Sequence, residues 1–173
     1  MSASGTQLAR MAPVAHVGHL ARRFVGSLAL GGPSPQDEAW VLSLLSEAEL
    51  SLWRRMDGPD QRHAAGVARR VSRSLSERAA LVAALLHDVG KVESGLGTFE
   101  RVGATVARPW RERPVVPGRW RRYYDHPALG AELLALADSD PLVVAWAREH
   151  HLPAARWTVP AEVGRVLKAA DDD

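Results

Sequence analysis

His87 and Asp88 end an eight-residue apolar run, and their side chains are of the types that bind divalent metals. The run from Ala79 to Leu86 carries no charge on any face, so a helix here must be buried on all sides. An imidazole nitrogen beside a carboxylate offers ligand atoms that a divalent metal accepts. Burying both groups costs free energy unless something pairs with them. A metal ion would be such a partner.

Histidines on three other predicted helices, and one aspartate, also share a face with core positions. His63 precedes Val67 and Val71 by four and eight residues, and Asp171 continues the buried face of the last helix. A single histidine on an apolar face is commonly a hydrogen-bonded core residue. Several together are not explained in that way, because each unpaired buried polar group costs about 1–3 kcal/mol. The predicted metal ligands are His63, His87, Asp88, His126, His150, Asp171 and His151, the last as a ligand or as a residue that supports one.

The composition of the chain excludes several kinds of site and several classes of protein. The chain has 173 residues, about the size of one domain, and no cysteine, which excludes thiolate metal sites, cysteine nucleophiles and disulfide frameworks. No segment has the 18 or more apolar residues that a membrane span needs. The net charge of +2 gives no reason to expect a stable nucleic-acid complex. We therefore expect a cytoplasmic protein that does not bind membranes.

Helical periodicity recurs in every segment between Gly and Pro breaks, which predicts an all-α, single-domain bundle of about seven to eight helices. We divide the chain into an N-terminal helix with a Gly/Pro linker (1–35) and a helical metal-binding domain (36–173). In the central helix, Ser76 can cap the start and Gly90 can adopt the left-handed conformation that ends a helix. A further helix is predicted from Leu96 to about Trp110, followed by a Pro-rich loop (111–118) that could act as a lid.

The motif HDVGK, with its neighbours, resembles the HD-domain superfamily of metal-dependent phosphohydrolases, whose pattern runs His, His-Asp, His, His, Asp along an all-helical domain. The resemblance covers Gln61 to Asp171 and is closest to the HD-GYP branch, which HPALGAELL, EHH and VLKAAD match. The chain departs from that branch after its His-His pair, where LPAARWTVP replaces the Gly-Tyr-Pro motif used on cyclic di-GMP. We therefore do not expect cyclic di-GMP as the substrate.

The resemblance implies one or two divalent metal ions, with Fe or Mn preferred and Co, Mg or Ni as alternatives. His63, His87, Asp88 and Asp171 could hold a first ion and, with Asp88 bridging, His126, His150 and His151 a second. Such ions would deprotonate a water that attacks a nucleotide or another phosphate ester or diester. Asp88 and Lys91 are the predicted catalytic residues. Lys91 could contact the substrate phosphate or, as an ordinary terminal lysine, only favour the helix dipole.

Seven arginines and one glutamate lie between positions 101 and 122. This stretch is either a solvated face or a patch facing a small phosphate-bearing substrate, for which Arg119, Arg121 and Arg122 are the predicted contacts. Two other functions remain open: a diiron oxygenase of the same fold, and a regulatory module that binds a nucleotide without hydrolysing it.

Overall fold

The computed structural model describes residues 31–96 and 118–173, and all regular structure in these two ranges is helical. This confirms the predicted all-α fold. The described part of the chain contains eight α-helices, which we number α1 (Pro35–Leu44), α2 (Glu47–Arg55), α3 (Gly58–Val71), α4 (Arg78–Leu86), α5 (Gly118–Tyr124), α6 (His126–Leu136), α7 (Pro141–Glu149) and α8 (Ala161–Asp172). Two short 3₁₀ segments, Val89–Ser94 and Ala154–Arg156, lie between them.

Helix α4 is the central element of the bundle, as its uncharged sequence predicts. Every residue from Ala80 to Leu86 is buried. Helices α1, α3, α7 and α8 all pack against it. Because neighbours cover α4 on several sides, its C-terminal end, where His87 and Asp88 follow, opens into the interior of the protein.

Side-chain caps begin several of the surrounding helices. Ser34 caps α1, Asp57 caps α3 and Asp140 caps α7, each by accepting a hydrogen bond from a backbone N–H of the first turn. Helix α4 differs, and the predicted Ser76 cap is wrong. The helix begins after Glu77, whose carboxylate accepts a hydrogen bond from the Ser76 backbone N–H at 3.1 Å, and no side chain caps the helix.

The predicted role of Gly90 is also wrong. Helix α4 ends at Leu86, and the only glycine with a positive φ in the described residues is Gly95, at the end of the first 3₁₀ segment. Gly90 is required for a different reason: a Cβ atom there would lie 2.0 Å from the backbone oxygen of His126 and 2.5 Å from the nitrogen of Gly130. The missing side chain therefore lets the segment after Asp88 lie directly on α6.

Several predictions fall on residues that the structure does not describe. The helix expected from Leu96 to Trp110 lies almost wholly there, as does the Pro-rich stretch 111–118 apart from its last residue. The division at residue 35 stays a prediction, although α1 begins at that position. None of the helices in the two described ranges is long and apolar enough to cross a bilayer.

We predict that Gly90→Ala destabilises the protein by about 1–3 kcal/mol, the usual cost of overpacking, because backbone atoms of α6 must move to admit the new methyl group. Gly66→Ala on α3 is the matched control. Its Cβ would meet only the guanidinium end of Arg70, at 3.5 Å, and removing a helical glycine stabilises by up to about 1 kcal/mol. Urea unfolding of both variants tests the difference, and equal stabilities would contradict it.

Candidate metal centre

Seven side chains with metal-ligand atoms converge at the C-terminal end of α4. They come from distant parts of the sequence: His63 from α3, His87 and Asp88 from the turn after α4, His126 from the start of α6, His150 and His151 from the end of α7, and Asp171 from the end of α8. The sequence predicted these seven residues, and the structure brings all of them together in two overlapping groups.

Asp88 lies at the centre and faces both groups. Its Oδ2 atom is 3.3 Å from Nε2 of His87, while its Oδ1 atom is 3.2 Å from Nε2 of His126 and 3.6 Å from Nε2 of His150. In one group, ligand atoms of His63, His87 and Asp88 lie within 4.8 Å of one another. In the other, Asp88 joins His126, His150 and His151 within the same distance. One carboxylate thus serves both groups through different oxygens.

Asp171, near the end of the last helix, also belongs to the first group. Its Oδ1 atom is 3.1 Å from Nε2 of His63 and 3.6 Å from Nε2 of His87. Helix α3 also holds the end of α8 through its backbone, because Nε of Arg70 donates to the carbonyl oxygen of Ala170 at 2.8 Å. This bond satisfies a carbonyl in the last turn of α8 and fixes the backbone next to Asp171.

Three of the histidines have the same orientation, set by a backbone carbonyl three residues earlier. The Nδ1 atoms of His87, His126 and His150 lie 2.9, 2.6 and 2.9 Å from the carbonyl oxygens of Ala84, Tyr123 and Ala147. An imidazole that donates its Nδ1–H in this way presents the lone pair of Nε2 on the other side of the ring. All three rings therefore direct Nε2 at Asp88, and this nitrogen is an acceptor in the neutral imidazole that binds a metal.

The Nε2 atoms of these three histidines are buried and make no hydrogen bond of good geometry. An orphaned buried polar atom costs free energy, and three around one carboxylate are unusual. Imidazole nitrogens with carboxylate oxygens form a donor set suited to Zn, Fe, Mn, Co or Ni. The residues present therefore fit one or two divalent metal ions, and no thiolate is available to favour a closed structural zinc site.

Charges in the cluster shift its pKa values in opposite directions. Burial lowers the pKa of His87, but the carboxylates of Asp88 and Asp171 outweigh burial and raise it to about 10. Burial raises the pKa of Asp88, yet Lys91 and the histidines hold it well below its usual range. Burial lowers the pKa of His150. Asp88 therefore stays ionised, and it attracts cations strongly.

His151 lies at the edge of the centre. Its ring centroid is 4.0 Å from that of His150 and 5.2 Å from that of His126, and the residue is exposed. Partial desolvation and the neighbouring His150 lower its pKa, which favours the neutral imidazole that binds metals. The second group therefore has one side open to solvent, while Asp88, His126 and His150 are buried.

Lys91 contacts the centre from the segment that follows α4. It lies in the 3₁₀ segment and not on α4, and its ammonium forms an ion pair with Oδ2 of Asp88.

Of the predicted arginines, Arg119 lies within α5, and Arg121 and Arg122 on the same helix are exposed. Their contact with a substrate stays a prediction.

The sequence did not predict two residues that raise the pKa of Lys91. Burial lowers the pKa of Lys91, but Asp88 first, then Asp60 and Tyr123, outweigh burial and raise it. Asp60 precedes His63 by three residues, and Tyr123 precedes His126 by three. Asp60 and His63 share α3, so the i, i+3 spacing that places residues on one helix face could have indicated Asp60. Tyr123 and His126 lie on separate helices, so no helical spacing indicated Tyr123.

The family comparison agrees with this geometry. A model of the HD domain matches residues 61–172, which is more than half of the chain. The chain belongs to the HD domain family. The match runs from the helix that carries His63 to the end of the helix that carries Asp171, so it contains every residue of the candidate centre. Searches of curated proteins and of solved structures gave no match.

We predict that Asp171→Asn removes at least half of the metal that copurifies with the protein from medium supplemented with Fe or Mn. The amide keeps the size of the carboxylate but loses its negative charge and replaces one of its two acceptor oxygens by an NH₂ donor. Asp172→Asn is the matched control, because Asp172 is exposed and paired with Lys168 at 2.6 Å. Elemental analysis gives the result, and equal metal content in the two variants would contradict the assignment of Asp171.

Proposed function

We propose that this HD domain protein is a metal-dependent phosphohydrolase that acts on a nucleotide or another phosphate ester or diester. The observation that carries the proposal is the convergence of histidine Nε2 atoms without hydrogen bonds on the two oxygens of one buried aspartate. Membership of a family whose members are typically metal-dependent phosphohydrolases supports the same conclusion.

We assign two sets of ligands, which share Asp88. The first comprises His63, His87, Asp88 and Asp171, and the second comprises Asp88, His126, His150 and His151. When bound, divalent ions supply Lewis acidity toward phosphoryl oxygens and lower the pKa of water so that it becomes a nucleophile near neutral pH. The protein positions the ligands. Backbone carbonyls fix the orientation of the histidine rings, and the apolar faces of α4 and α7 exclude water from the side of the centre that faces the core.

The charge balance favours an anionic substrate only when metal is present. Without metal, His87, whose pKa is about 10, and Lys91 are the two cations that oppose Asp60, Asp88 and Asp171, which leaves a net charge of about −1 in and around the cluster. A phosphate dianion would be repelled by this charge. Two divalent cations would reverse its sign, so phosphate binding should require metal.

Lys91 is proposed to stabilise negative charge on the phosphoryl group. Its ammonium is mostly buried and lies beside Asp88, so it acts in a region of reduced dielectric where a charge has more effect than in water. Asp88 and Lys91 are therefore the proposed catalytic pair, with Asp88 holding metal and Lys91 facing the substrate.

The closer likeness to the HD-GYP branch stays a prediction, because the family match is to the HD domain in general. The segment that replaces the Gly-Tyr-Pro motif is well anchored. The buried carboxylate of Glu149 accepts hydrogen bonds from the backbone N–H and the hydroxyl of Thr158, both at 2.6 Å, and the indole N–H of Trp157 donates to the Leu152 oxygen at 3.0 Å. We propose no cyclic dinucleotide specificity from it.

A screen of nucleotides, dinucleotides and simple phosphate esters with Mn or Fe tests the proposal. Release of phosphate or of a nucleoside monophosphate that stops on chelation is the expected result. Oxygen uptake without hydrolysis would indicate a diiron oxygenase instead. Stabilisation by a nucleotide without any product would indicate a regulatory module.

We predict that Asp88→Asn and Lys91→Met separate metal binding from charge stabilisation. Asp88→Asn should lose bound metal and all measurable hydrolysis, because both ligand sets include this residue. Lys91→Met keeps the apolar stem, so it should retain metal and lose about 10²- to 10³-fold in kcat, the usual cost of one electrostatic donor. An Asp88→Asn variant that is folded, metal-loaded and active would refute the assignment.

A further inference from the structure

Glu149, the last residue of α7, directly precedes His150 and His151 and is buried despite its carboxylate. Both oxygens of that carboxylate accept hydrogen bonds from Thr158, one from the backbone N–H and one from the hydroxyl, each at 2.6 Å. Burying a carboxylate is unfavourable unless donors of this kind compensate it. The side chain therefore links the last turn of α7 to a residue nine positions later.

The far end of this link is anchored, because the residue before Thr158 is packed against two helices. The indole ring of Trp157 packs edge-on against Trp146 of α7, with ring centroids 5.4 Å apart, and its N–H donates to the Leu152 oxygen at 3.0 Å. A Cβ atom at Gly164 of α8 would lie 2.6 Å from the Trp157 ring, so the indole fits there only because that residue has no side chain. Thr158 is thus a fixed point for the carboxylate.

His151 lies in the segment that the link closes. His150 is buried in the core, whereas His151 is exposed, so burial contributes little to the position of the second ring. The backbone of His151 lies beyond the end of α7, in a turn in which the Leu152 N–H donates to the Glu149 carbonyl oxygen at 2.7 Å. The residue that accepts this bond through its backbone is therefore the one held through its side chain.

We propose that Glu149 is a positioning residue, which holds His151 in place for the second ligand set through its hydrogen bonds to Thr158. The inference rests on the two ligand sets assigned under the proposed function and adds a residue that binds no metal itself. Partners that orient a metal ligand raise its affinity because the ligand is already in place when the ion binds. Loss of the link should therefore weaken one ligand set and spare the other.

A double-mutant cycle between Glu149→Met and His151→Ala tests the inference. Methionine has about the length of glutamate and lacks the two carboxylate acceptors. The full-length, Mn-loaded protein is equilibrated with Mn²⁺ buffered at graded concentrations, and elemental analysis gives the bound equivalents. Glu149→Met should weaken the binding step that His151→Ala weakens by about 10- to 100-fold, the usual effect of losing an outer partner of a metal ligand. In the His151→Ala background it should have no further effect beyond about 2-fold.

Glu149→Gln separates positioning from charge. The glutamine oxygen can accept the Thr158 N–H while its amide donates to the Thr158 hydroxyl, so both hydrogen bonds persist without the negative charge. We expect this variant to keep the Mn²⁺ affinity of the unmodified protein. Thr158→Val removes one of the two bonds at an exposed residue, so it should weaken the same step by a smaller factor, and it replaces Glu149→Met if that variant does not fold.

Glu49→Met is the control for the loss of a buried carboxylate. Glu49 is buried and pairs with Arg78 at the start of α4, whereas the centre lies at the other end of that helix. Its replacement should change neither Mn²⁺ step.

The other outcomes overturn the inference. Unchanged Mn²⁺ binding in Glu149→Met, or in His151→Ala, would show that the link positions no metal ligand. Additive effects of the two substitutions would show that Glu149 acts other than through His151. Equal losses in Glu149→Gln and Glu149→Met would assign the effect to charge. In each case metal-dependent hydrolysis of an ester by the unmodified protein would leave the proposed function intact, whereas a protein that neither binds Mn²⁺ nor hydrolyses any ester would refute both.

Discussion

The ionised carboxylate of Asp88, enclosed at the end of an apolar helix, is the interaction on which the rest of the centre depends. Its burial is unfavourable unless cations or hydrogen-bond donors surround it. The structure meets this requirement with Lys91 on one oxygen and with imidazoles near both. His87 comes from the turn after α4, Lys91 from the 3₁₀ segment, His126 from α6 and His150 from the end of α7, so the position of one side chain constrains how four elements pack.

The fold and the candidate ligands could be predicted because both depend on periodicity. An uncharged eight-residue run has no solvent face, which identified α4 as the central helix before any contact was known. The same 3.6-residue period separated Asp171, which is buried, from Asp172, which is exposed. Such inferences need only the direction in which a side chain points, and helical geometry fixes that direction locally.

The remaining features depend on distances between elements, which periodicity does not contain. Gly90 was expected to end a helix through its own conformation, yet its importance comes from the backbone of α6 lying against it. Lys91 was expected to be near the end of α4, but that helix ends at Leu86, and the lysine contacts Asp88 from the 3₁₀ segment that follows. Asp60 and Tyr123 gain significance only because both raise the pKa of Lys91, a residue distant from them in the sequence.

The contact between His63 and Asp171 joins residues 108 positions apart. An ion held by both would act as a cross-link that closes nearly the whole domain into a loop. Cross-links of that span restrict the unfolded ensemble, and for disulfides closing about 100 residues the chain-entropy model gives roughly 4–5 kcal/mol. Metal binding in this fold would then be a folding constraint as well as a catalytic one, and the first and last helices of the family domain would separate only when the ion leaves.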